Sequence, residues 1–119
     1  MREISPKELN SEFDATLSTF SSANLNEPDD ELGRLVFEEF DIGITSFLHE
    51  TSLKRLLCAG YIDNDIKELC AEFRMKAVLA LRNYRSVAAV RDSESWKEVI
   101  ELCDKIKLLK TAHDQARST

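Results

Sequence analysis

The side chains of this 119-residue chain that could bind a metal ion or act as nucleophiles are few and widely separated. Cys58, Cys70 and Cys103 stand among apolar neighbours, and His49 and His113 have no partner at metal-ligand spacing. Cys58, Cys70 and a histidine would permit a zinc site, but free cysteine usually packs as a small hydrophobe. We therefore expect three reduced, buried thiols and no bound metal.

The acidic side chains form no recognisable catalytic motif. The run Asp63-Asn64-Asp65 resembles the opening of a calcium loop, but the glycine and the final glutamate of such a loop are missing, so a helix cap is favoured. A pair such as Glu38 and Asp41 could transfer protons in a cleft, but in so acidic a chain it is more typical of a solvated helix face. The sequence also lacks a glycine-rich phosphate loop. We predict a protein that is not an enzyme and needs no cofactor.

The negative charge is concentrated in one short segment. Residues 27–41 contain seven acids and one base, which accounts for the whole net charge of −6. Residues 1–50 carry a net charge of −9, whereas residues 51–119 carry +3. A chain polarised in this way repels nucleic acid and attracts a basic partner.

Helical periodicity places this acidic segment on the second of several helices. Ser5-Pro6-Lys7-Glu8 is a capping box that opens the first helix, and Pro28 followed by acids opens the second. The apolar stripe of the first helix is Leu9, Phe13, Leu17 and Phe20. The stripe of the second is Leu32, Val36 and Phe40. Residues 41–60 are compatible with one helix or with two.

The C-terminal half predicts a long central helix and a final helix. Asp63 is expected to cap the central helix, whose apolar phase runs from Ile66 to Ala88. Met75 and Leu79 fall on its opposite side, which predicts a helix covered on two faces. Gly60 is expected to end the preceding short helix. Ser93 is expected to cap the final helix, in which the core residues are Trp96, Val99, Ile100, Cys103 and Ile106.

These patterns predict an all-α protein, a single domain over residues 1–119 that forms a bundle of about five helices around the long central one. No segment alternates apolar and polar residues as a strand would. The apolar runs are far shorter than the ~20 residues that span a bilayer. The N-terminus shows no secretion signal. We expect a cytoplasmic protein without a membrane partner.

Two surfaces are candidates for binding. On the second helix, acidic side chains project away from Leu32 and Val36, and Phe37 lies at their edge as a candidate interface anchor. The predicted partner-binding residues are Glu27, Asp30, Glu31, Phe37, Glu38 and Asp41. The alternative is an ordinary solvated face with Phe37 in the core. The other surface is a basic flank of the central helix, for which we expect internal ion pairing rather than contact with nucleic acid. Its residues are Lys67, Arg74 and Arg85.

In size, charge and helicity the whole chain resembles the bacterial immunity proteins that neutralise partner toxins, of the bacteriocin and contact-dependent growth inhibition types. The residues that carry the resemblance are Glu27, Asp29, Asp30, Glu31, Glu38, Glu39 and Asp41. It implies a non-catalytic protein that binds a toxin domain, for example a nuclease whose basic active site an acidic helix can cover. The alternatives are a regulatory or adaptor module associated with nucleic acid through the basic flank, and an inhibitor that mimics nucleic acid.

Overall fold

A computed structural model describes residues 4–40, 43–44 and 48–118, without the side chains of residues 39, 40 and 118. The α-helices are α1 (Pro6–Thr19), α2 (Asp29–Arg34), α3 (Glu50–Ala59), α4 (Asn64–Asn83), α5 (Val87–Asp92) and α6 (Glu94–Ser118). A 3-10 turn spans Ser22–Asn26, and a π-helical segment, Leu35–Phe40, continues directly from α2. Because the described residues contain no strand, the predicted all-α class is confirmed.

Local capping residues begin and end the helices where the sequence predicts. Ser5, Asp63 and Ser93 each accept a hydrogen bond from the backbone N–H three residues onward, at 3.1, 2.8 and 3.2 Å. Gly60 ends α3 with a φ of 85°, in the left-handed region that favours glycine. The cap at Ser86, which begins α5, was not predicted.

The core lies mainly between α1, α4 and α6, and the most extensive helix contact is that of α4 with α6. All of the residues predicted for the stripes of the first and last helices are buried. Trp96, near the start of α6, is among the largest of them. Its ring contacts Phe20 at the end of α1, with a centroid separation of 5.2 Å.

The central helix ends earlier than its apolar phase predicts, so the expectation of one helix to Ala88 is wrong. Tyr84 leaves helical geometry, and its carbonyl oxygen accepts the indole N–H of the buried Trp96 at 2.8 Å. The same oxygen also accepts the Ser86 N–H at 3.0 Å. Tyr84 and Ala88, predicted as core, are exposed, and Val87 belongs to the separate helix α5.

Helix α4 is also not covered on two faces. Met75 and Leu79, on the side opposite the buried stripe, are both exposed. The stripe itself is buried as predicted at Ile66, Cys70, Phe73, Ala77, Ala80 and Leu81. The helix is therefore an outer element with one apolar side exposed.

The second helix departs from α-helical geometry after Arg34. Leu32 and Val36 are buried as predicted, while Phe37 is half-buried and packs against the core. Both Val36 and Phe37 pack inward from the π-helical segment. Phe40 and Asp41 lie outside the residues whose side chains are described.

The segment 41–60 contains a helix of its own. His49 has extended backbone geometry and begins α3, and its Nδ1 accepts the Thr51 N–H at 3.3 Å. Upstream, a Cβ at Gly43 would lie 2.6 Å from the Thr16 hydroxyl oxygen, so only glycine allows this approach to α1.

The C-terminal helix α6 extends to Ser118. His113 lies within α6, and its Nε2 is 2.9 Å from the Gly60 carbonyl oxygen at the α3–α4 turn. Arg117 lies over the Tyr61 ring in the same turn, at 4.4 Å from its centroid. Within the part of the chain that the structure describes, no helix combines the length and apolarity needed to cross a membrane.

The three thiols differ in environment, so the prediction that all are buried is wrong for Cys58. Cys70 and Cys103 are buried, whereas Cys58 is exposed on α3. Burial raises the pKa of both Cys70 and Cys103 to about 12, which keeps them as thiols at neutral pH.

We expect a thiol reagent at neutral pH to modify the native protein once, at Cys58, because this is the one of the three thiols that is exposed to the reagent. Mass spectrometry before and after unfolding would show one modification and then three. The variant Cys58→Ser should show none in the native state. Fast native labelling of Cys70 or Cys103 would contradict the packing described here.

Candidate partner-binding surface

A single arginine fixes the segment that precedes α2 and its acidic residues. Arg91, on α5, donates to the carbonyl oxygens of Leu25 and Glu27 at 2.5 and 2.7 Å. Its Nε also donates to Asp29 Oδ1 at 3.1 Å. Three hydrogen bonds from one planar guanidinium restrict the entry to α2 more than an isolated surface ion pair would.

The predicted acidic residues divide into paired and unpaired groups. Glu27, Asp30 and Glu38 are exposed and form no ion pair within the described residues. Glu31 instead pairs with Arg34, and this hydrogen bond lowers the pKa of the Glu31 carboxyl. Asp41 lies outside the described residues. We use the name acidic surface for Glu27, Asp30 and Glu38.

Phe37 is not a free aromatic side chain. Its ring contacts the Trp96 ring edge to face, with centroids 6.5 Å apart, and the Arg85 guanidinium lies 5.1 Å from its centroid. Arg85 also donates a hydrogen bond to the Phe37 carbonyl oxygen at 3.4 Å. These internal contacts favour the core alternative for Phe37, and a role in binding a partner stays a prediction.

A cavity of about 160 Å³, not predicted from the sequence, lies beside the Arg91 contact. Its apolar part is formed by Leu25, Val90 and Ile100. Charged and polar residues around it are Ser22, Arg91, Asp92, Ser93, Lys97, Glu101 and Asp104. The cavity was missed because it joins the 3-10 turn to residues more than 60 positions later in the chain. The periodicity of a single helix carries no information about a contact between residues so far apart in the sequence.

The proposed basic flank is not a continuous row. Lys67 and Arg74 line a mixed groove that also contains Glu50 and Glu68. Arg85 follows the end of α4 and is directed at Phe37. The arrangement lacks the aligned cations that would follow a phosphate backbone. The internal ion pairing expected of Arg85 is not found within the described residues, where its guanidinium contacts the Phe37 carbonyl oxygen and ring rather than a carboxylate.

A second charged cluster joins α1 to α6. The Lys110 side chain is only 3% exposed, and its Nζ lies 3.3 Å from Asp14 Oδ1 and 2.8 Å from Asp114 Oδ1. Burial raises the pKa of Asp14, and this outweighs the lowering effect of the Lys110 ammonium. A buried ammonium with two carboxylates is already satisfied, so the geometry favours structural pairing over chemistry.

The described residues contain no group of three or more His, Cys, Asp and Glu side chains arranged to hold a metal ion. Comparison of the chain with protein-family models, curated proteins and solved structures gives no match.

We expect Phe37→Ala to lower the free energy of unfolding by roughly 2–4 kcal/mol, since the ring packs against Trp96 and Arg85. Phe37→Leu keeps much of the apolar volume and should cost about 1 kcal/mol. Chemical denaturation of both variants would measure the difference. If Phe37→Ala is as stable as the wild type, the ring does not support the fold, and the interface alternative gains weight.

Removing the cation of the Lys110 cluster should cost much less stability than neutralising its two carboxylates. Lys110→Met removes the buried charge and leaves Asp14 and Asp114, whose side chains are 44% and 42% exposed, to be solvated. We expect it to change stability by no more than about 1 kcal/mol. The double variant Asp14→Asn/Asp114→Asn leaves the ammonium buried and should cost on the order of 3–5 kcal/mol. If urea denaturation shows equal losses of stability for the two variants, the contacts of Lys110 with Asp14 and Asp114 do not have a structural role.

Proposed function

We propose that this protein acts without catalysis, by binding a basic protein partner at the acidic surface and blocking it, as an immunity protein blocks a toxin. The observation that carries the proposal is the set of three exposed carboxylates, unpaired within the described residues, next to a segment that Arg91 fixes. Asp29 and Glu31 already have internal cations. Glu27, Asp30 and Glu38 retain their charge for a partner.

Electrostatic steering follows from this arrangement. Unpaired carboxylates grouped in one segment of a chain with a net charge of −6 create a directional field that raises the rate of encounter with a cationic surface. Since salt screens such fields over about 8–10 Å, the effect should be largest at low ionic strength. The Arg91 contacts reduce the entropy that the segment loses on binding, because its backbone is already ordered.

Affinity beyond steering requires a buried apolar contact, which exposed charges alone rarely supply. The cavity lined by Leu25, Val90 and Ile100 adjoins the Arg91 contact and offers a place for one apolar side chain of the partner. Asp92, Glu101 and Asp104 around it favour a neighbouring lysine or arginine. The interface anchor would then be a side chain of the partner rather than Phe37, the anchor predicted from the sequence.

The proposal is best tested with the product of the reading frame that lies beside this gene, since an immunity protein is expected to be encoded next to its toxin. The triple variant Glu27→Lys/Asp30→Lys/Glu38→Lys should slow association about 10- to 100-fold at low salt and flatten its salt dependence. Dissociation should change much less. Stopped-flow or surface-based kinetics at several ionic strengths would separate the two rates.

A matched control is Glu12→Lys/Glu50→Lys/Glu94→Lys, in which three exposed acids elsewhere are reversed. Both triple variants change the net charge of −6 by the same amount, so a difference between them reports position rather than total charge. If the two variants slow association equally, or if neither does, the acidic surface is not the binding site. Circular dichroism of both variants would check that the fold is intact.

A further inference from the structure

Exposed apolar side chains are concentrated on the two longest helices. Met75 and Leu79 on α4 are 67% and 51% exposed, and Leu108 on α6 is 73% exposed. Tyr84, which follows α4, and Leu109 on α6 are the other large apolar residues that are exposed in the described part of the chain. Single exposed hydrophobic residues are ordinary, but a group confined to one helix pair indicates an interaction surface.

Three of these residues line two cavities between α4 and α6, whereas Met75 and Leu108 line neither. At one end, Leu79 and Tyr84 line a cavity of about 240 Å³ with Ser95 and Glu98 of α6. At the other end, Leu69 of α4 and Leu109 of α6 line a cavity of about 410 Å³. On α4 the lining positions are one, three or four residues apart, and on α6 they are three, seven and four residues apart. Because such intervals keep to one side of a helix, the two cavities belong to the same surface.

We use the name α4–α6 groove for this surface. Helix α4 has 20 residues, so the groove is about 30 Å long, enough for five or so turns of another helix. Met75 lies four residues before Leu79 and extends the apolar edge along the outer side of α4. A helix with apolar residues at intervals of three and four would match this length and spacing.

The charges in the groove favour a basic partner. Its lining contains four carboxylates against two ammonium groups, namely Asp65, Glu68, Glu72 and Glu98 against Lys76 and Lys105. Lys76 is already shared between Glu72 at 3.3 Å and Glu98 at 3.9 Å. A net negative groove would repel a second copy of itself, because like charges would be brought together.

We propose that the α4–α6 groove binds an amphipathic helix of a partner protein, with apolar residues at intervals of three and four and lysine or arginine beside them. This site goes beyond the proposed function, since it shares no residue with the acidic surface. Leu79, Leu109 and Met75 would contact the apolar side of the helix. Asp65 and Glu68, which form no ion pair within the described residues, would face its cations.

The probe is a labelled synthetic peptide of about 18 residues, helical, with leucines along one side and lysines beside them. Two matched peptides serve as references: one with glutamate in place of lysine, and one with the same composition but leucines distributed around the helix. Fluorescence anisotropy should give at least about tenfold tighter binding for the lysine peptide than for either reference.

Two protein variants locate the binding. Met75→Ser/Leu79→Ser should weaken binding of the lysine peptide by about tenfold or more. Ala15→Ser/Ala88→Ser, which alters two exposed residues outside the groove, should leave it unchanged. The variant with reversed charges at Glu27, Asp30 and Glu38 should also bind the peptide with little change beyond the general charge effect. Loss of partner binding at the acidic surface can therefore be distinguished from loss of peptide binding at the groove.

Several results would overturn the proposal. No binding of the lysine peptide at high micromolar concentration is one, and equal binding of all three peptides is another. Equal affinity of the wild type and Met75→Ser/Leu79→Ser would place the contact elsewhere. If sedimentation shows that the wild type self-associates and that this variant does not, the groove is occupied by a second copy and the assignment to a basic helix is wrong.

Discussion

The indole N–H of Trp96 must find an acceptor in the core, and much of the arrangement of the chain follows from that requirement. An unpaired buried donor costs about 1–3 kcal/mol. The Tyr84 carbonyl satisfies it at 2.8 Å, at the point where the chain leaves the helix, and the same oxygen also accepts the Ser86 N–H at 3.0 Å. The same ring contacts Phe20 and Phe37. One side chain thereby fixes the end of α4 and connects α1 and the π-helical segment to the start of α6.

The turn that serves Trp96 also determines the surroundings of Phe37. Since α4 ends at Asn83, Arg85 emerges from the turn rather than from a helix side, and its guanidinium lies over the Phe37 ring. Because of this helix end, Arg85 does not extend a row of cations along α4. Its guanidinium instead lies over the Phe37 ring. This is why the basic flank and the exposed anchor, two separate predictions from helical periodicity, are both disfavoured by the same structural feature.

Helical periodicity and capping chemistry predicted much of the fold because both are local. Ser5, Asp63, Gly60 and Ser93 act within a few residues of themselves, and the stripes of α1 and α6 depend only on which residues recur every three or four positions. The helix end at Tyr84 was not predictable from the same information, since its acceptor role depends on Trp96, twelve residues later. The acidic segment was evident from composition, but its division into paired and unpaired carboxylates depends on the long-range contact between Arg91 and Asp29.

The exposed apolar residues of the α4–α6 groove contribute little to folding. The buried stripe of α4, from Ile66 to Leu81, already closes the core against α6, and Met75 and Leu79 lie outside it. Exposed apolar area of this kind favours association and lowers solubility without adding core packing. Replacing both residues with polar ones would be expected to cost the fold little, because they bury little area in the isolated chain. In the binding proposed for the groove, these residues contact a partner whose cations are compatible with the carboxylates along it.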